Sequence, residues 1–274
     1  MREMTLSEIQ QVSLEILKDI HNFCVNNDVK YSLSGGTLLG AIRHNGFIPW
    51  DDDIDIQMSR PEYEKFIHSY QSEHGYKLFS HELDGFEDVG IAYARVCEME
   101  KTYVNTGIQP WKKEATGLWV DIFPIDGAPD NPKKAKIKIE KMYWMWRLTL
   151  AARMRYKLDF GTTKGFFVKI RQYFKILTSY IIPWNIISFY IDKCKEYSYE
   201  TNNYLANYSI IHYKFKEWQP KVEMSDFVLH RFENEEFYIM TGYDISLRSL
   251  YGNYMELPPE EKRINHSNYV YYWK

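Results

Sequence analysis

Ser34-Gly35-Gly36-Thr37-Leu38-Leu39-Gly40-Ala41-Ile42-Arg43-His44-Asn45-Gly46-Phe47-Ile48-Pro49-Trp50-Asp51-Asp52-Asp53-Ile54-Asp55-Ile56-Gln57-Met58 is the stretch whose reading decides the fold. A short apolar strand over 31–34 meets the glycine pair, and Thr37 to Arg43 then reads as a short helix. After the loop Asn45 to Trp50, residues 51–58 alternate polar and apolar as a strand does. That period places Asp53 and Asp55 on one face, which Asp51 shares if the alternation reaches back so far, while Asp52 points away, either as a surface residue or as a support behind the ligands. Ile54 and Ile56 occupy the opposite, buried face. A solvated strand end is the ordinary fate of such carboxylates. Here the strand is anchored in the core, so its acidic face needs a cation, and Mg2+ or Mn2+ is the natural counter-charge for Asp51, Asp53 and Asp55. The turn at Gly35 and Gly36 lets backbone N–H groups approach a phosphate without side-chain obstruction.

Outward from this stretch, Thr5-Leu6-Ser7-Glu8 has capping-box spacing and opens an amphipathic helix predicted to run to Asn27. Ser59-Arg60-Pro61-Glu62 starts another, with Tyr63, Phe66, Ile67 and Tyr70 as its buried stripe. Strand patterns follow at 76–80, 91–96 and 118–125. From Asn131 the pattern turns helical, with a long helix opening at Pro132 and further helical stretches on either side of Pro183-Trp184. The expectation is an α+β fold, a mixed sheet flanked by helices with a predominantly helical second region. Residues 1–130 form the catalytic core and 131–274 the elaboration, across a soft boundary with no Gly/Ser-rich linker.

With 274 residues and 45% hydrophobic content, the chain can bury a large core. Lys and Arg total 34 against 37 Asp and Glu, a net charge of -3, so no global basic field points to nucleic acid. Cys24, Cys97 and Cys194 match no metal-ligand spacing, and their odd number argues against a complete disulfide framework, which fits a reducing, cytoplasmic setting. The residues after Met1 lack the apolar core of a signal peptide, and no apolar run is long enough to span a bilayer.

The run Ser34 to His44, continued by Ile48 to Asp55, resembles the LicD signature, and LicD-like proteins are similar to fukutin and the fukutin-related protein. Gly117-Leu118-Trp119-Val120-Asp121-Ile122-Phe123-Pro124-Ile125-Asp126 and Tyr251-Gly252-Asn253-Tyr254-Met255-Glu256-Leu257-Pro258-Pro259-Glu260-Glu261-Lys262-Arg263 match the same family, so the likeness spans nearly the whole chain. One departure is Met240-Thr241 before Gly242-Tyr243-Asp244, where the family often carries a proline. About 133–217 no motif matches. The resemblance implies a nucleotidyltransferase-like fold and transfer of a phosphorylated alcohol from a CDP-linked donor to a glycan hydroxyl, with CDP-choline the first choice of donor.

The resemblance also implies that Asp121 is a third carboxylate, serving as metal ligand or as the base for the attacking hydroxyl. Its apolar flanks, Trp119-Val120 and Ile122-Phe123, make a purely structural aspartate costly there. Asp126, beside Gly127, reads as a turn residue. Arg43 can clamp donor phosphates or serve as an ordinary helix C-terminal charge, and His44 carries no role beyond proximity. Trp50 either packs the loop or walls the donor pocket, since choline is a quaternary ammonium that favours ring faces. Lys262, Arg263 and His266 either close over a phosphate or form a solvated tail.

Between Thr163 and Tyr190, Lys164, Lys169, Arg171 and Lys175 interleave with Phe166, Phe167, Tyr173, Phe174 and Ile176. This reads as a packed amphipathic helix or as a dock on an anionic membrane carrying a lipid-linked glycan acceptor. The expectation is therefore a metal-dependent phosphotransferase, cytoplasmic or peripheral at the inner face of the membrane, acting on a cell-surface glycan or teichoic-acid precursor. Two alternatives stand beside it. One is a nucleotidyltransferase that adds a nucleoside monophosphate to a small molecule. The other is a non-catalytic glycan-binding descendant of the fold, against which the repelling carboxylates argue.

Overall fold

The structure is a computed structural model, which describes residues 1–83, 90–106, 116–156, 166–224, 226–264 and 269–274. Its strands are β1 (Arg2–Glu3), β2 (Ser32–Leu33), β3 (Asp55–Ser59), β4 (Lys77–Phe79), β5 (Ala94–Glu98), β6 (Thr102–Asn105), β7 (Leu118–Ala128), β8 (Tyr204–Ala206), β9 (Gln219–Pro220), β10 (Phe227–Phe232), β11 (Glu235–Met240) and β12 (Val270–Trp273). The helices are α1 (Leu6–Asn26), α2 (Gly35–His44), α3 (Arg60–Ser69), α4 (Pro132–Arg153), α5 (Phe166–Ser179), α6 (Ile186–Cys194) and α7 (Tyr243–Tyr251).

The main sheet runs β2-β3-β7-β5-β4, and β8 and β9 extend it from the end of β7. Only the β3–β7 pair is parallel among these ladders, so the sheet is mixed and the architecture α+β, as the alternation of strand and helix patterns implies. Capping positions α1, because Thr5 accepts from the Glu8 backbone while the Glu8 carboxylate returns to the Thr5 N–H. Ile16, Leu17 and Ile20 of α1 are fully buried in one continuous cluster with Leu33, Ile54, Ile56, Val96, Val120 and Ile122. A second cluster joins Ile139 and Met142 of α4 to Tyr190 and Ile191 of α6 and to Tyr208 and Ile211.

Beyond Cys194 the chain returns to strand, which the sequence pattern does not reveal. β10 and β11 form a hairpin, and the Met240 N–H donates to the Ser32 hydroxyl of β2. β12 lies between β1 and β6, so it ties both ends of the chain to a small antiparallel sheet. Phe232, Phe237, Ile239, Leu247 and Tyr271 join the first cluster, so the C-terminal third is built into the same core as α1 and β3. β3 itself begins at Asp55, later than the alternation suggests, and Asp51 to Ile54 form its lead-in. No described helix is long and apolar enough to cross a membrane.

Candidate functional site

The start of α2 and the lead-in to β3 meet at one end of a cavity of about 1090 Å³ lined by Gly35, Gly36, Arg43, Trp50, Asp51, Asp53 and Asp55. Backbone bonds fix the corner: the Ser34 N–H donates to the Asp55 carbonyl, and the Asp55 N–H donates to the Thr37 hydroxyl. The first N–H groups of a helix have no acceptor within it, so those of Gly35 and Gly36, which line the cavity, are available as donors, aided by the helix dipole. Glycine suits the backbone at Gly35 and leaves room for the Asp51 carboxylate at Gly36. Gly35 has φ +52, and a Cβ on it would stand 3.3 Å from Asp55 Oδ2, whereas one on Gly36 would stand 2.8 Å from Asp51 Oδ2.

Carboxylates crowd this corner. One oxygen each from Asp51, Asp52 and Asp53 falls within 4.8 Å of the others. Asp52 is 3% exposed, so it is not the outward surface residue that strict alternation predicts; the loop geometry of the lead-in turns it inward. Asp53 is open to the cavity yet enclosed by protein on its other sides, and burial followed by the charges of Asp55, Asp51, Asp52 and Asp121 pushes its carboxyl well above the ordinary range. Burial, then Asp121 and Asp51, does the same to Asp55, with Arg95 opposing. An all-oxygen set of mutually repelling carboxylates against a glycine turn fits a hard divalent cation.

Asp121 sits directly opposite Asp55 in the parallel β3–β7 register. Its Oδ1 accepts from Arg95 Nε at 2.7 Å. Burial raises its proton affinity, while Arg95 and a hydrogen bond from Trp119 hold it down. Arg95 in turn lies 4.0 Å over the Trp119 ring, so this arginine, which no motif singles out, fixes Asp121 from β5. Asp126 is not a turn residue. It is 1% exposed within β7, where it takes a fork from Arg60 at 2.7 and 2.8 Å, and Arg60 also pairs with Glu82.

Arg43 lines the cavity and donates to the Tyr254 carbonyl and to His44. Arg263 comes near, 5.9 Å from the Trp50 ring and close enough to lower the Arg43 proton affinity after burial has done so. Thus the C-terminal motif reaches the loop before β3, and Lys262 lines the cavity as well. His266 and Lys164 lie outside the described residues.

The cavity also holds groups that the sequence reading does not single out. Tyr213 and Tyr251 meet edge to face at 5.6 Å with their hydroxyls hydrogen-bonded, and Tyr251 feels the charges of both Asp55 and Glu217. Glu217 and Glu223 line the same cavity. No periodicity marks them, because segments far apart in sequence bring them to one cavity.

A family model described as "LicD/FKTN/FKRP, nucleotidyltransferase domain" matches residues 28–190. The chain is 32% identical to the lipopolysaccharide cholinephosphotransferase LicD of Haemophilus influenzae over 281 aligned residues, covering 97% of each chain. An uncharacterized protein of Rickettsia typhi is 50% identical over 52 residues, which cover 19% of this chain and 17% of that protein. Another, from Rickettsia prowazekii, is 36% identical over 74 residues, or 23% of this chain and 28% of the relative.

Proposed function

The chain belongs to the LicD family, and from that premise we propose that it transfers phosphocholine from CDP-choline to a hydroxyl of a glycan or lipid-linked glycan, releasing CMP. The observation that carries this reading is the corner where the glycine turn of α2 faces Asp51, Asp53 and Asp55 across one cavity. N–H groups suit the donor's phosphate oxygens, and an adjacent set of carboxylates suits the cation that accompanies a pyrophosphate. Held by Asp51, Asp53 and Asp55, Mg2+ or Mn2+ would supply the positive charge that the pyrophosphate and the departing CMP require. Arg43 and Lys262 line the same cavity and Arg263 stands near Trp50 on its wall, which supports a role for them in holding the donor's phosphates.

In the transfer, the acceptor oxygen bonds to the phosphorus that carries choline, and the bond from that phosphorus to the CMP oxygen breaks. CMP leaves with the bonding pair, and the hydroxyl proton passes to a carboxylate of the cluster. Asp121 lies beside Asp55 in the β3–β7 register and is tied to Arg95 and Trp119, which supports a role in anchoring the charge of the cluster as a ligand rather than in taking that proton.

The acceptor belongs to a cell-surface glycan, either a lipopolysaccharide, as in the name of the Haemophilus relative, or a teichoic-acid precursor. α5 supports work beside a membrane at its inner, cytoplasmic face. Phe167, Ile170, Phe174 and Leu177 project outward at helical spacing, Lys169, Arg171 and Lys175 flank them, and the helix carries no acidic residue. Such a face complements anionic headgroups.

The test is to incubate the protein with CDP-choline, CDP-ribitol or CDP-glycerol, Mg2+ and a glycan acceptor, and to score CMP. Acceptor-dependent CMP from CDP-choline, stopped by chelation, is expected. A nucleoside monophosphate attached to the acceptor would instead establish the nucleotidyltransferase alternative.

A further inference from the structure

We propose that Glu217 and Glu223, on the cavity wall beyond the aspartate corner, form a subsite for a quaternary ammonium, and that this subsite sets which alcohol the donor carries. The proposal rests on the transferase reading above and adds the residues that choose the substrate.

Glu223 is 2% exposed, lines the cavity, and has no hydrogen-bond partner at either carboxylate oxygen. Buried polar groups are normally satisfied, and an uncompensated carboxylate is among the costliest groups to leave alone. The fold uses only its backbone, whose carbonyl accepts from the Gly242 N–H at the start of α7. Glu217, on the 3-10 turn Lys214–Glu217, lines the same cavity as a half-buried carboxyl: desolvation pushes it up to about 8 against a backbone hydrogen bond from Tyr213, and desolvation alone pushes Glu223 up to about 7.

Several ligands could offset this charge, and the surroundings choose among them. Among the described residues, the only group of three carboxylates dense enough for a metal ion is Asp51 to Asp53, so neither glutamate belongs to the kind of carboxylate cluster that a divalent cation favours. A neutral polyol would ask for donors and acceptors while leaving the charge uncompensated. Rings and sulfurs stand here instead. Tyr251 lies between the two ends: its hydroxyl is 3.9 Å from where a Cβ on Gly35 would be, and its ring sits in the field of Glu217. Met224 and Met240 form the floor, each sulfur within 3.7 Å of Gln57 Nε2. Gln57 follows Asp55 by two residues on β3, so it shares that strand face and leads from the aspartates toward Glu223. A quaternary ammonium donates no hydrogen bond, and it is held by diffuse negative charge, ring faces and polarizable contacts.

The experiment measures binding apart from transfer, by calorimetric titration of the full chain with CDP-choline, phosphocholine, CDP-glycerol and CDP-ribitol in Mg2+. Glu217→Gln and Glu223→Gln keep shape and remove charge, and Asp53→Asn serves as a comparison at the other end. Wild type should bind CDP-choline at least tenfold more tightly than CDP-glycerol, and each glutamine variant should lose most of that preference while binding CDP-glycerol as before. In turnover, KM for CDP-choline should rise tenfold or more with kcat changed far less. If the variants keep the full preference for CDP-choline, or if calorimetry with Mg2+ alone shows the glutamates binding metal, the subsite is refuted. Should the preference be present and charge-dependent with no transfer to any acceptor, the subsite stands and the transferase reading falls. Transfer from CDP-choline with unchanged KM in both variants leaves the transferase reading and removes the subsite.

Discussion

Gly36→Ala separates the demands of the site from those of the fold. Gly36 lies in the first turn of α2 with a helical backbone, so alanine there is compatible and even favourable, by about 0.5–1 kcal/mol relative to glycine. Its added Cβ would stand 2.8 Å from Asp51 Oδ2, against 3.4 Å or more for an ordinary contact, so the carboxylate must retreat by about 0.6 Å. A misplacement of ~1 Å in a reacting geometry can cost about 100-fold in rate, so a fall in kcat/KM of roughly tenfold or more is expected. CMP release from CDP-choline at varied Mg2+ measures the loss, and thermal unfolding measures the fold. The expected result is an unfolding midpoint equal to or above wild type beside a crippled enzyme whose Mg2+ requirement has risen. Full activity with an unchanged Mg2+ requirement would refute the argument that Asp51 must stand where the missing side chain lets it.

Asp121→Asn should weaken Mg2+ and donor binding together and recover partly at raised Mg2+; a fall in kcat of about 100-fold or more with binding unchanged would make Asp121 the base instead. Glu223 has its carboxyl raised from an ordinary value near 4.5 to about 7, so the folded state keeps a proton that the unfolded chain has lost, and stability falls as pH rises through that window. Glu223→Gln should therefore stabilise the protein progressively as pH rises from about 4.5 to 7 and leave it unchanged near pH 4, as read by denaturant melts; a pH-independent difference would contradict the burial argument. For α5, flotation with anionic vesicles should recover the protein at low salt, and Phe167→Ser with Leu177→Ser should abolish recovery; equal recovery on neutral vesicles would remove the charge argument.

The stretch from Ser34 to Met58 is legible in the sequence because its chemistry is local: a glycine turn, a short helix and alternating acids lie within one supersecondary unit. The capping box at Thr5 and Glu8 is legible for the same reason. What escaped depends on partners distant along the chain. Asp126 looks like a turn residue until Arg60 is brought against it from α3, and Asp52 looks like a surface residue until the lead-in to β3 bends it inward. The ion pair of Arg95 with Asp121 follows from the β5–β7 register, which the strand patterns leave open. β8, β9 and β12 are short and paired with remote segments, β12 with the first residues of the chain, so no local period announces them; the β10–β11 hairpin is local, and its strand pattern over 227–240 went unread. Glu217 and Glu223 sit in unremarkable polar sequence, and only the closing of the cavity brings both to its wall and buries Glu223.

The most direct test of the central claim is a donor that carries one label on choline and another on cytidine, incubated with Mg2+, the glycan acceptor, and either wild type or Asp53→Asn. The account predicts that the choline label passes to the acceptor with one equivalent of cytidine-labelled CMP released, and that Asp53→Asn folds normally and does neither. Cytidine label on the acceptor, or transfer undiminished in Asp53→Asn, would contradict it.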